Sequence, residues 1–306
     1  MTAPPATDPL RAWREQLEAW AIPEEILAAV PDSPWELPVG LFRRRADQAR
    51  ERAPTPSDRE AARWLPPGGT VLDVGAGGGA ASLPLAGGGS GGLESEAGTQ
   101  AAGGHAKPSG SPPVNKANRL VAVDESAGML EAFRTATRQA QVAAETVLGH
   151  WPEVADRVGA ADVVVCYDVL YNVQDLEPFA RALTAHARHR VVAQLGERHP
   201  LVEEAPLWRT FHHLDRPDGP TADDAEAALR ALGLVVERQD WTAGPRASFA
   251  TFDDLVAFLR RRLCLPRERE AELAAVLAAD VVEDEHGVRL RRGPRHAVTL
   301  SWPGAA

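Results

Sequence analysis

The chain is short of cysteine and has no long apolar run, and each shortage removes a class of function. Only Cys166 and Cys264 occur in 306 residues. Two thiols suit a reducing cytoplasm and supply no metal-ligand cluster, so no metal is expected. No stretch approaches the roughly 20 apolar residues of a membrane span. Residues 1–20 also lack the apolar centre of a secretory leader. An excess of positive charge is missing as well: Lys and Arg total 33 against 43 Asp and Glu, a net charge of −10. Such a chain has little long-range attraction for nucleic acid or anionic membrane. The expectation is a cytoplasmic protein that engages neither, with one large α/β core plus additions.

What is present centres on residues 70–79. Thr70, Val71, Leu72 and Val74 read as a buried strand around Asp73, and Gly75-Ala76-Gly77-Gly78-Gly79 follows almost without side chains. Glycines let the backbone reach positive φ and let a ligand lie against the main chain. Ala80-Ala81-Ser82-Leu83 is then expected to open a helix whose free N–H groups face the turn. Two patterns fit. One is the dinucleotide fingerprint G-x-G-x-x-G/A, which seats a pyrophosphate. The other is D-x-G-x-G-x-G, and Asp73 favours it, because a carboxylate attracts an ammonium or sulfonium group and repels a pyrophosphate.

With that carboxylate in place, the run resembles the first motif of the class I S-adenosylmethionine (SAM)-dependent methyltransferases of small-molecule type. The resemblance implies an α/β fold over residues 66–302: a Rossmann-like seven-stranded sheet, last strand antiparallel, with helices on both faces. Residues 1–65 would form an N-terminal helical cap. SAM is the implied cofactor, its methionyl end held by Asp73, Gly75, Ala76, Gly77 and Gly79.

Spacing adds a second acid. Residues 87–117 are Gly, Ser, Ala and Pro with almost no large apolar side chain, a composition expected to be a disordered insertion. Asp124 ends the next strand 51 residues after Asp73, and removing the 31-residue insertion leaves 20. That matches the separation of about 20 between glycine loop and ribose-binding acid, so Asp124 is expected to take the ribose hydroxyls. The resemblance further places Met129, and His150 or Trp151 after the third strand, against the adenine. It sets Cys166 and Tyr167, at the end of the fourth strand, beside the cofactor, with Cys166 a small buried residue rather than a nucleophile.

Candidate catalytic residues come from two places. Asp168, Tyr171 and Asn172 follow the fourth strand, where ligands of such sheets bind. His212 and His213 lie in an insertion, 197–220, expected on the substrate side together with 244–292. Adjacent helical residues point about 100° apart, so the two histidines are not a metal pair. No Asn/Asp-Pro-Pro-aromatic tetrad or Pro-Cys pair follows the fourth strand, which argues against nucleobase methylation. Elsewhere Ser33-Pro34-Trp35-Glu36 has the form of a capping box, and residues 295–302 alternate as an edge strand does. A nucleotide-dependent oxidoreductase and a non-catalytic SAM-binding protein remain as alternatives.

Overall fold

Apolar strands alternate with amphipathic helices along most of the chain. The computed structural model describes residues 8–35, 38–86, 116–244, 249–285 and 287–306. Four helices come first: α1 (Pro9–Glu18), α2 (Glu24–Ala28), α3 (Val39–Glu51) and α4 (Pro56–Trp64). Asp8 starts α1 by accepting from the Leu10 N–H, and Thr55 and Asp58 form a reciprocal capping box at α4. Then come β1 (Thr70–Val74), β2 (Arg119–Asp124), α5 (Ala127–Gln139), β3 (Ala143–Leu148), β4 (Ala161–Tyr167), α6 (Leu176–His186) and β5 (Ala187–Gly196). The remainder is α7 (Ala205–His212), α8 (Ala222–Ala231), β6 (Glu237–Ala243), α9 (Phe252–Arg262), α10 (Glu270–Leu277), β7 (Val281–Asp284), β8 (Gly287–Leu290) and β9 (Arg295–Pro303).

Seven strands form one sheet in the order β3-β2-β1-β4-β5-β9-β6. β1 to β5 pair in parallel, and β9 runs antiparallel to both β5 and β6. Strand order reverses between β1 and β4. That switch point opens a crevice at the carboxyl ends of the two strands, where the glycine loop and the segment after β4 both begin.

Four local expectations are corrected. No α-helix follows the glycine loop: only turns and a short 3-10 helix, Leu83–Leu85, are formed. Pro84 has no N–H to continue a helical ladder, and Ala86 leaves to make a parallel bridge with Ala117. That bridge also shortens the expected insertion, because Ala117 is fully buried and its N–H donates to the Leu85 carbonyl at 2.8 Å. Residues 87–115 lie outside the described residues. Ser33 caps a turn rather than a helix, its Oγ accepting from the Trp35 N–H, and Glu36 is also outside the described residues. Finally, β9 is interior, and Ala297 to Trp302 are all buried, because β6 pairs along its far side. The hairpin β7–β8 had no counterpart in the sequence reading.

Apolar residues gather in three clusters. Val71, Val163, Val165 and Val192 pack on one sheet face with residues of α4 and α5. Leu72, Val164, Val191 and Leu300 pack on the other with α1, α6 and α8. A third cluster brings Ile22 from the α1–α2 connection and Leu41 of α3 onto Trp208 and Phe211 of α7, Leu255 and Leu259 of α9, and Val288 of β8. The early helices and the late insertions thus share one apolar core.

Arg190 anchors α4 to the sheet. It is 2% exposed, and its Nε donates to Glu60 at 3.1 Å. It also reaches Ser301 at 3.0 Å and Glu237 at 2.7 Å, with Trp64 stacked over the guanidinium. Removing one member of a buried pair leaves the other charge without compensation. Arg190→Met is expected to destabilise the fold by about 3 kcal/mol in urea unfolding. Adding Glu60→Gln should recover part of that loss, and an additive double mutant would mean the pair is not coupled.

Candidate active site at the carboxyl edge of the sheet

β1 ends on an acid that water does not reach. Asp73 is 0% exposed, and the Ser82 hydroxyl donates to its Oδ2 at 2.6 Å. Its Oδ1 is buried with no hydrogen-bond partner. Burial lifts the carboxyl to about 7 against the opposing Ser82 hydrogen bond, and the nearby Asp124 charge adds to the rise.

The loop beyond it is pinned by β2. The Gly75 and Ala76 N–H groups donate to the Val123 carbonyl at 2.9 and 3.1 Å. Asp124 accepts from the Gly77 N–H through Oδ2 and from the Ser126 N–H through Oδ1, both at 2.8 Å. One carboxylate therefore joins the glycine loop to the start of α5. Each of its oxygens keeps further acceptor capacity.

Protein neighbours close over the loop. Gly75 has φ +72°, and a side chain there would run into Val169 from the segment after β4. A β-carbon on Gly78 would lie 2.8 Å from the Phe42 carbonyl of α3, and one on Gly77 would lie 3.1 Å from the Phe42 ring. α3 therefore rests directly on the glycines, and Phe42 was not legible in the sequence as part of this region. Gly79 sits at φ +95° against Leu83 and Phe133.

The other expected residues divide into two groups. Met129 is buried at 4% exposure, while His150 is exposed. Trp151 is buried in the core edge-on to His186, with ring centroids 5.0 Å apart and its Nε1 unpartnered. Cys166 is fully buried, which pushes its thiol well up and makes it inert. The Tyr167 hydroxyl is buried without a partner and is also pushed up by burial. Asp168 is exposed at φ +61°, its N–H donating to the Gln194 carbonyl at 2.7 Å, and Asn172 is exposed nearby.

Tyr171 is engaged at the end of β5. It is 5% exposed, its hydroxyl donates to the Gly196 carbonyl at 2.8 Å, and its ring stacks on Trp13 of α1. It also meets His199 edge-on, with ring centroids 5.1 Å apart, and His199 stacks in turn on Trp20 at 4.3 Å. His199 accepts from the Leu201 N–H through Nδ1. Burial, with Arg262 and Arg216, holds it down to about 4, so it is neutral at physiological pH. Arg216 lies between Trp20 and Trp208, 5.2 and 4.9 Å from their ring centres, tying this aromatic series to the third cluster. His212 is tied by Nε2 to the Leu263 carbonyl at 2.6 Å, and His213 is an exposed left-handed cap of α7.

Residues 100–189 match a family model described as a methyltransferase domain. That segment is similar to a methyltransferase domain. The matched segment begins after the glycine loop, so motif and match are independent. No curated protein matches the chain significantly. Solved structures similar to it include the YcgJ protein of Bacillus subtilis, at 14% identity over 82% of this chain and 98% of that one, with a TM-score of 0.47. Precorrin-8w decarboxylase of Methanobacterium thermoautotrophicum is 14% identical over 90% and 100%, with a TM-score of 0.43. Magnesium protoporphyrin IX methyltransferase of Synechocystis, bound to S-adenosylhomocysteine (SAH), is 13% identical over 78% and 75%, also at 0.43.

The residues at this edge of the sheet fit S-adenosylmethionine. The unpartnered Oδ1 of Asp73 is an acceptor suited to an ammonium group, and Asp124 has acceptor capacity for hydroxyls. No group of three or more His, Cys, Asp or Glu side chains among the described residues could hold a metal. No helix among them is long and apolar enough to cross a membrane.

The packing of α3 on the loop is testable by thermal unfolding. Gly78→Ala is expected to cost about 1–3 kcal/mol, because backbone rather than a flexible side chain must yield. Gly40→Ala, in α3 with no atom within 4 Å, should instead stabilise by about 0.5–1 kcal/mol. Equal effects at the two sites would disprove the close approach.

Proposed function

We propose that this methyltransferase transfers its methyl group to a small molecule held between the carboxyl edge of the sheet and the third apolar cluster. The observation that carries this is the convergence of α3, α7, α9 and β8 into one lobe, with Leu41 and Phe42 of α3 reaching both the lobe and the glycine loop. A lobe of this kind would enclose a compact acceptor and exclude water around it. The net charge of −10 supports a small molecule over nucleic acid.

Transfer from a sulfonium is an in-line displacement, so alignment at near-attack distance supplies much of the rate. Asp73, Gly75, Ala76, Gly77 and Gly79 would hold the methionyl end, and Asp124 the ribose. Met129 and the 150–151 segment would border the adenine, and Cys166 and Tyr167 the centre. Asp168 and Asn172 are exposed polar side chains after β4, and Asp168 would take a proton from an oxygen acceptor. Tyr171 and His212 have their polar atoms engaged by main-chain carbonyls and would shape the site rather than react in it.

Incubation of the purified chain with SAM and a panel of small metabolites, reading out SAH, is expected to identify an acceptor. NAD should show no binding by titration calorimetry. With that acceptor, Asn172→Ala should lower kcat several-fold and leave the SAH Kd within a few-fold. Methylation of RNA, DNA or protein with no small molecule turned over would refute the small-molecule reading.

A further inference from the structure

We propose that binding of the methyl donor is proton-coupled: Asp73 is a neutral carboxylic acid in the ligand-free protein and loses its proton when the ligand's ammonium group arrives. This rests on SAM being the cosubstrate, and it adds a linked proton that the fold alone does not imply.

The argument is geometric first. Asp73 is enclosed on every side, with 0% exposure. One oxygen takes the Ser82 hydroxyl, and the other has no partner of any kind. The groups facing it from neighbouring elements are all acidic or neutral: Asp124 from β2, Cys166 and Tyr167 from β4, and Ser82 from the turn. Beyond Tyr167 lie Asp58 and Glu60 of α4, and Arg52, the cation there, is paired with Asp58 at 2.5 Å. Among the described residues no basic side chain makes an ion pair with Asp73. A buried carboxylate with one hydrogen bond and an acid for a neighbour is unstable as an anion, so the site keeps its proton.

A cation entering beside Oδ1 reverses that balance. The O–H bond of Asp73 breaks, the proton leaves to solvent, and the carboxylate pairs with an ammonium that keeps its own three N–H bonds. One proton is released per ligand bound, and charge balances. The sign follows from the direction of the shift. The ligand-free group titrates at about 7, and the bound carboxylate titrates below that. Below about pH 7 the free protein carries a proton that binding must expel, so affinity falls by about tenfold per pH unit as pH drops, and is flat just above neutrality.

The test is titration calorimetry of the full-length protein with SAH at pH 6.0 and pH 7.8, each in two buffers of different ionisation enthalpy. We expect close to one proton released per SAH at pH 6.0 and a small fraction at pH 7.8. Asp73→Asn should release none, and its affinity should converge on that of the wild type as pH falls to 5.5. That convergence would not accompany a merely structural role. Should the variant fail to fold, the wild-type proton count decides the matter by itself. SAH binding at pH 6.0 with no proton release, or with the same release from Asp73→Asn, would overturn the coupling and leave the methyltransferase reading intact. Absence of SAH and SAM binding at every pH would overturn both.

Discussion

A carboxyl group sealed at the end of β1 is the constraint on which the surrounding structure turns. Asp73 follows Val71 and Leu72, both fully buried, and its own side chain is shielded from water. Ser82 can reach it because the chain after the glycines folds into tight turns rather than a helix. Those turns exist because Pro84 and the Ala86–Ala117 bridge pull the chain back to the sheet. Burial of an acid, truncation of a helix and re-entry of the chain at Lys116 are parts of one local arrangement.

The same sheet face holds further polar groups near its carboxyl end. Residues two apart on a strand share a face, so Asp73, Tyr167 and Gln194 lie with Val71, Val165 and Val192 on the α4 side. Tyr167 pairs in register with Gln194. Asp73, Tyr167 and Gln194 each carry a buried polar atom without a partner. Unsatisfied groups are uncommon in packed interiors, and three on adjacent strands at a switch point mark the region where the sheet is built for something other than stability. On the opposite face Tyr171, His199, Trp20 and Arg216 form a series that connects the segment after β4 to the lobe around Trp208.

α3 belongs to both halves of the molecule. Leu41 faces the lobe, Ala46 packs on the sheet cluster, and the Phe42 backbone lies on Gly78. This gives the glycines two separate physical reasons: Gly75 accommodates a left-handed backbone beside Val169, and Gly78 admits another main chain.

By itself the sequence determined most of the alternation of strands and helices and the two acids Asp73 and Asp124 at the ends of β1 and β2. These follow from local patterns, namely apolar periodicity, turn chemistry and spacing, which act over a few residues and survive without knowledge of the fold. The tertiary structure alone decided which polar atoms are engaged. Tyr171 and His212 looked available because hydroxyl and imidazole groups announce chemistry in any sequence, yet the carbonyls of Gly196 and Leu263 hold them. Phe42 and His199 looked ordinary, because their significance depends on partners distant along the chain: Gly78 lies 36 residues from Phe42, and Tyr171 and Trp20 lie 28 and 179 residues from His199. β9 could be recognised as a strand from alternation, but its place between β5 and β6 depends on pairing along both of its edges. Long-range packing sets burial, and burial sets whether an acid such as Asp73 is charged.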